Sequence, residues 1–256
     1  MTSAQAALIF SAGIVAGAMN AVAGGGTMVT FPALIFIGLK EIPANATNTV
    51  ALVPGALASV WGYRRELRES DPRHYWLLVP SFFGGLLGGI LLSRTPAPVF
   101  RAVVPFLILF ATILFMAQAP IQKRVQARKK ENGEPEVTKD WLFVAALVQF
   151  VTGIYGGYFG AGMGIMMLAT LSLLGFANIH QMNGLKNVLG MTINLVAALY
   201  FMWAGLVHWN EALVMMVGAI IGGYYGAGLA RKLGAKFVRW TVIVIGVGVA
   251  LSLLLR

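Results

Sequence analysis

Two glycine-rich stretches and one lysine are the residues of this chain best suited to chemistry. The first stretch is Asn20-Ala21-Val22-Ala23-Gly24-Gly25-Gly26-Thr27; the second is Tyr155-Gly156-Gly157-Tyr158-Phe159-Gly160-Ala161-Gly162-Met163-Gly164. Each glycine weakens a helix by about 1 kcal/mol relative to alanine. Clusters of them between apolar runs therefore predict breaks inside hydrophobic spans. Unwound backbone at membrane depth persists only where it is buried in protein or lines a wet cavity. The N–H groups freed at the start of a half-helix, together with the positive end of its dipole, make a ready anion site. Close helix packing is the other use of small residues, but two matched clusters, each ahead of a short segment, favour the break. Lys186 stands at the start of a long apolar run, and no acidic residue lies between Asp140 and Glu211 to pair with it. A lysine deep in a membrane helix costs about 2.5–3.5 kcal/mol on insertion scales and marks function. One near a helix end simply snorkels, and the sequence leaves both readings open. Asn48, Thr49, Asn187, Thr192 and Asn194 add neutral polarity, which serves either a ligand or a neighbouring helix. The candidate anion-contacting set is Asn20, Gly24, Gly25, Gly26, Asn48, Thr49, Gly160, Gly162, Lys186 and Asn187. Gln149 and Thr152 are weaker candidates for the same cavity.

Other chemistries lack their residues. The nine acidic residues fall in loops or at segment edges, so a membrane-embedded carboxylate relay has no candidate. Cysteine is absent, and His74, His180 and His208 are far apart, which argues against a metal site. No HExxH, Ser-His or Walker pattern occurs. The expectation is a protein that is not an enzyme and carries no cofactor.

The elements that must position these residues are membrane helices. Of 256 residues, 58% are apolar and 11% charged, against about 25% charged in an average soluble domain; mean hydropathy is +0.78. Ten apolar segments run over 4–23, 28–39, 46–63, 75–92, 99–118, 141–159, 163–176, 185–206, 210–229 and 237–255. Eight are long enough to cross a ~30 Å hydrocarbon core, while the second and seventh have the length of half-helices or re-entrant pieces. No lysine or arginine precedes Lys40, so the first segment is not expected to be a cleaved signal. The net charge of +10 is localised rather than a nucleic-acid footprint. Fourteen of the 19 basic residues sit in three connections, around 64–73, 123–139 and 231–239. The positive-inside rule places these in the cytoplasm. With ten crossings both termini would lie outside.

The chain also resembles itself. Gly13-Ile14-Val15-Ala16-Gly17 matches Gly153-Ile154-Tyr155-Gly156-Gly157, and each match is followed by a glycine cluster, a short segment and an Asn-rich entry into a long helix. Asn48 pairs with Asn187 in this match. Five segments per half is an odd number, so the second half must be inverted, and corresponding loops do carry opposite basic bias. The expected fold is an all-α polytopic membrane protein with two inverted-topology repeats of about five segments, each including one short broken or re-entrant helix. Residues 1–119 form the first repeat, 120–140 a basic cytoplasmic linker, and 141–256 the second repeat. Such repeats are a transporter design, with the substrate held where the halves meet.

The pattern of Gly17, Asn20, Gly24–Gly26, Pro32 and Leu34, with Gly157, Gly160, Gly162 and Gly164 in the second half, resembles the sulfite exporter TauE/SafE family. Pro32 departs from the duplication, since Thr170 or Ser172 falls at its counterpart. The resemblance implies a multi-pass permease of the cytoplasmic (inner) membrane for sulfite, sulfoacetate or related organosulfonates. It also implies a substrate path near Gly24–Gly26, Asn48, Gly160–Gly164 and Lys186–Asn187. The expected partners are a small oxyanion and the lipid bilayer, with a homodimer allowed and nucleic acid excluded. A passive anion channel and a non-transporting membrane scaffold are the alternatives.

Overall fold

The computed structural model describes residues 1–22, 24–70, 72–132, 139–173 and 179–233, and the single position 248. All regular structure among them is helical. The elements are α1 (Ser3–Val22), α2 (Thr27–Phe36), α3 (Glu41–Gly62), the short α4 (Arg64–Arg68), a 3-10 stretch (Pro72–Leu77), α5 (Leu78–Arg94), α6 (Ala97–Asn132), α7 (Lys139–Tyr158), α8 (Met163–Leu173), α9 (Ile179–Trp203) and α10 (Trp209–Leu233).

The two short segments are short helices. α2 and α8 have 10 and 11 residues, roughly 15–17 Å at 1.5 Å per residue and about half a bilayer core. Four stretches among the described residues are long and apolar enough to span: Ser3–Ala21, His74–Arg94, Ala97–Leu114 and Gln181–Trp203. This is fewer than the eight expected. One reason is that α3, though 22 residues long, carries Asn45, Thr47, Asn48, Thr49 and Ser59, all buried against other helices rather than facing lipid. These residues lie within α3, not in an entry ahead of it. The segment expected at 237–255 and the end of that expected at 163–176 lie outside the described residues. α6 continues as helix past residue 119 to Asn132.

The packing is symmetric under an exchange of α1 with α7, α2 with α8, α3 with α9 and α5 with α10. α1 packs most extensively on α10, and α5 correspondingly on α7; α3 packs on α10 as α9 does on α5; α3 and α9 meet each other at the centre. Glycines set the closest approaches. On α10, a Cβ added at Gly218 or Gly222 would fall on the carbonyl oxygen of Phe10 or Ile14; on α5, one at Gly84 or Gly88 would fall on that of Phe150 or Ile154. The two crossings thus correspond in geometry, with α7 numbered 140 above α1 and α10 numbered 134 above α5. Likewise Gly55 of α3 lies against Ala219 while Ile193 of α9 lies against Gly85, which sets α9 138 above α3. In this register Asn48 corresponds to Lys186 and Thr49 to Asn187. The packing therefore shifts the sequence match of Asn48 with Asn187 by one residue.

Large apolar side chains such as Phe36, Phe106, Phe143 and Trp203 are exposed on the outside, the arrangement a lipid-facing surface requires. The largest buried cluster joins α1, α2, α3 and α6 to Phe159, Ile165 and Phe201.

Candidate functional site

Both helices that precede a half-helix end in the same way. The Gly24 N–H donates to the Met19 carbonyl at 3.0 Å, and the Gly160 N–H donates to the Tyr155 carbonyl at 3.0 Å. Each is a bond to the fifth residue back, and each glycine has a positive φ, +75° and +80°, which glycine adopts without steric cost. The two breaks touch: a Cβ on Gly24 would lie 3.0 Å from the Gly164 Cα.

A cavity lies between the breaks, with about 590 Å³ of empty space when its open mouth is included. Its walls are Asn20 of α1, Gly24, Gly25 and Thr27 at the first break, and Thr49, Leu52, Ala56 and Ser59 of α3. The second half supplies Phe159 and Gly160 at its break, Met163, Gly164 and Met167 of α8, and Lys186, Asn187, Gly190, Met191 and Asn194 of α9. The lining positions straddle the middles of α3 and α9.

Of the candidate set, the cavity brings together Asn20, Gly24, Gly25, Thr49, Gly160, Lys186 and Asn187, whereas Gly26, Asn48 and Gly162 are not on its wall. Asn48 is 1% exposed. It accepts a hydrogen bond from the Thr30 hydroxyl, and its amide donates to Thr27 Oγ1 at 3.2 Å. It fastens α3 to the half-helix α2. Gln149 and Thr152 are also off the wall: Gln149 Nε2 donates to Ser81 Oγ of α5 at 2.8 Å, and Thr152 Oγ1 donates to the Val148 carbonyl. Thr192 Oγ1 likewise donates within its own helix, to Val188.

The donors available to a ligand differ between the halves. At the first break Asn20 Oδ1 accepts the N–H groups of Gly25 and Gly26 at 2.9 and 2.8 Å. With Gly24 bound to Met19, none of these three amides is free for the anion that the sequence led one to expect on them. Because Asn20 spends its oxygen on the loop, Nδ2 is the group it can offer to the cavity. Counted back from the break glycine, the second half has Gly156 at the place of Asn20, and among the described residues the N–H groups of Ala161, Gly162 and Gly164 make no hydrogen bond. Tyr155 Oη instead donates to the Ala161 carbonyl at 2.6 Å.

Lys186 is 2% exposed and, among the described residues, is the one charged residue on the wall. Its Nζ donates to the Asn20 backbone carbonyl at 3.4 Å. That carbonyl is left unfilled at the end of α1 because Gly24 bonds one residue further back. The ammonium therefore sits at the negative end of the α1 dipole, beside a cavity with no carboxylate among the described residues of its wall. Asn187 Nδ2 is buried with no hydrogen-bond partner, a costly state for a polar group unless a ligand or water meets it. Thr49 and Ser59 spend their protons on the Asn45 and Gly55 carbonyls of their own helix. Sequence reasoning passed over the apolar part of the wall, Leu52, Phe159, Met163, Met167 and Met191, because apolar residues on membrane helices carry no signal of their own.

The model of the family described as sulfite exporter TauE/SafE matches residues 9–253. A "Probable membrane transporter protein" of Haemophilus influenzae is 32% identical over 240 residues, covering 93% of this chain and 90% of that one. The "Probable membrane transporter protein ORF9" of Sinorhizobium sp is 28% identical (97% of this chain, 92% of that one), and Escherichia coli YfcA, of the same description, is 26% identical (96% and 88%). No solved structure matches the chain. With the family model spanning nearly the whole sequence and both glycine breaks, the chain belongs to the sulfite exporter TauE/SafE family of membrane transporters.

Proposed function

We propose that the chain is a secondary transporter that exports small sulfur-containing anions (sulfite, sulfoacetate or related organosulfonates) across the cytoplasmic (inner) membrane. The observation that carries this reading is the cavity between the two helix breaks, where, among the described residues, Lys186 is the one charge on the wall and the Asn187 amide has no partner. Buried cations without carboxylates are expensive, and an anion offsets that cost. Two features favour alternating access at a midplane site between inverted repeats. The cavity spans the middles of α3 and α9, and both halves contribute to it through equivalent helices.

The direct test is flux of labelled sulfite and organosulfonates in proteoliposomes. Saturable, Lys186-dependent flux is expected; no flux of any small oxyanion in either protein orientation would refute the reading. A passive channel would instead give single-channel currents. A scaffold recruiting partners through the basic segment would lose its role, but no flux, on deletion of residues 123–130.

A further inference from the structure

We propose that the end of α7 carries a site for a monovalent cation of the sodium class, held by neutral oxygens behind the cavity wall. The two helix breaks have matching ends that are filled differently. At the first, Gly24 bonds Met19, and the Asn20 carbonyl it leaves is taken by the Lys186 ammonium at 3.4 Å. At the second, Gly160 bonds Tyr155, and the Gly156 carbonyl it leaves takes no hydrogen bond among the described residues. No ammonium reaches it from α3, because the position equivalent to Lys186 is Asn48, which is spent on Thr27 and Thr30 of α2. Asn45 approaches instead. It is 0% exposed; its Nδ2 donates to the Tyr158 carbonyl at 2.9 Å, while its Oδ1 is buried with no hydrogen-bond partner. Thr49, one turn along the same face, lines the cavity. It donates its proton to the Asn45 carbonyl at 2.9 Å, which leaves the lone pairs of Oγ1 to accept. Gly160 uncovers the Gly156 oxygen: a Cβ on Gly160 would lie 2.9 Å from it.

The Gly156 carbonyl, Asn45 Oδ1 and Thr49 Oγ1 are acceptors gathered at the negative end of the α7 dipole. A buried acceptor left unmet is costly, and a cation there offsets that cost as the Lys186 ammonium does at α1. Unwound carbonyls and half-helix C-terminal ends hold cations in other transporters. The donor set selects a single charge, since calcium and magnesium sites rely on carboxylates. Among the described residues no cluster of His, Cys, Asp or Glu could hold a metal ion, and Glu41, one turn before Asn45, is paired with Arg101 at 2.6 Å. The site stands independently of which anion the cavity takes.

The test is binding of radiolabelled sodium to the purified full-length chain, by scintillation proximity in choline chloride at constant ionic strength. Saturable binding displaced by unlabelled sodium is expected. At about ten times the half-saturating concentration, sodium should raise the unfolding midpoint above that in choline by about 3–6 °C. Asn45→Ala should abolish binding. Thr49→Val should weaken it about tenfold or more, the scale on which even a supporting group acts at a metal site. Asn45→Asp separates a cation site from a simple cap on Tyr158. Its carboxylate cannot donate to that carbonyl, so the midpoint in choline should fall, and sodium should restore it with higher affinity than in the unaltered protein. Absence of saturable sodium binding would overturn the site, as would binding unchanged in both Asn45→Ala and Thr49→Val. An Asn45→Asp midpoint that sodium does not restore would overturn it too, leaving Asn45 a helix cap. Sodium binding without flux of any small oxyanion would refute the transport reading and leave this site standing.

Discussion

Asn48 and Lys186 occupy equivalent places in the two halves, yet their substitution should have opposite consequences. In Asn48→Leu the branched side-chain shape is kept and two interhelical hydrogen bonds are lost, those with Thr27 and Thr30. Side-chain hydrogen bonds between membrane helices average about 0.6 kcal/mol and reach about 1.7, so the pair is worth roughly 1–3 kcal/mol. At about 2–4 °C per kcal/mol for a chain of this size, the unfolding midpoint should fall by several degrees. Anion affinity should stay within a few-fold, because Asn48 is not on the cavity wall. In Lys186→Met a cation 2% exposed is removed together with one long hydrogen bond of 3.4 Å. The insertion cost of a central lysine, about 2.5–3.5 kcal/mol, exceeds the ~0.6 kcal/mol such a bond returns. The midpoint without ligand should therefore hold or rise, while the anion-induced rise disappears. The assay is thermal unfolding of purified protein in detergent, with and without ethanesulfonate, beside flux in proteoliposomes. If Lys186→Met unfolds as early as Asn48→Leu while anions still stabilise it, Lys186 is a structural cap on α1 and the assignment of the site is wrong.

Three further predictions follow from the same geometry. Gly222→Leu and Gly88→Leu should each abolish a monodisperse peak on size exclusion, since a side chain there meets the backbone carbonyl of Ile14 or Ile154. Gly62→Ala, with nothing within 4 Å, should leave the peak intact and stabilise by up to about 1 kcal/mol through helix propensity. Asn20→Ala should cost about 1–3 kcal/mol by stranding the Gly25 and Gly26 amides; Asn20→Asp, which keeps the acceptor but sets a negative charge beside Lys186, should restore folding and not anion binding, as read by unfolding midpoints with and without ethanesulfonate.

The half-helices were legible in the sequence because their cause is local. A glycine cluster followed by 10–14 apolar residues leaves too little helix for a bilayer, and α2 and α8 have that length. The glycine match of α1 with α7 was legible for a related reason: a helix crossing at backbone contact admits only glycine, so the spacing of the crossing is written in the chain. The use of each polar residue was not legible. The distance from Asn20 to Gly25 and Gly26 is equally compatible with a ligand contact and with closing its own loop. The one-residue ambiguity between Asn48 paired with Asn187 and Asn48 paired with Lys186 is resolved only by which residues face Ala219 and Gly85. Gln149 finds its partner on another helix, at Ser81, and pairing of that kind has no local signature.

The asymmetry of the site follows from what the matching helix crossings leave free. The helix crossings cannot diverge, because any side chain at Gly84, Gly88, Gly218 or Gly222 strikes a backbone that has nowhere to go. Polar positions on α3 and α9 are under no such constraint, and there the halves differ. A lysine in both would bury two like charges against one core, and a stapling asparagine in both would leave no charge to attract an anion. One of each fastens α2 to α3 through Thr27 and Thr30. On the other side Lys186 reaches across to the end of α1. The symmetric scaffold thus fixes where the cavity lies, and the broken equivalence between Asn48 and Lys186 gives that cavity its charge.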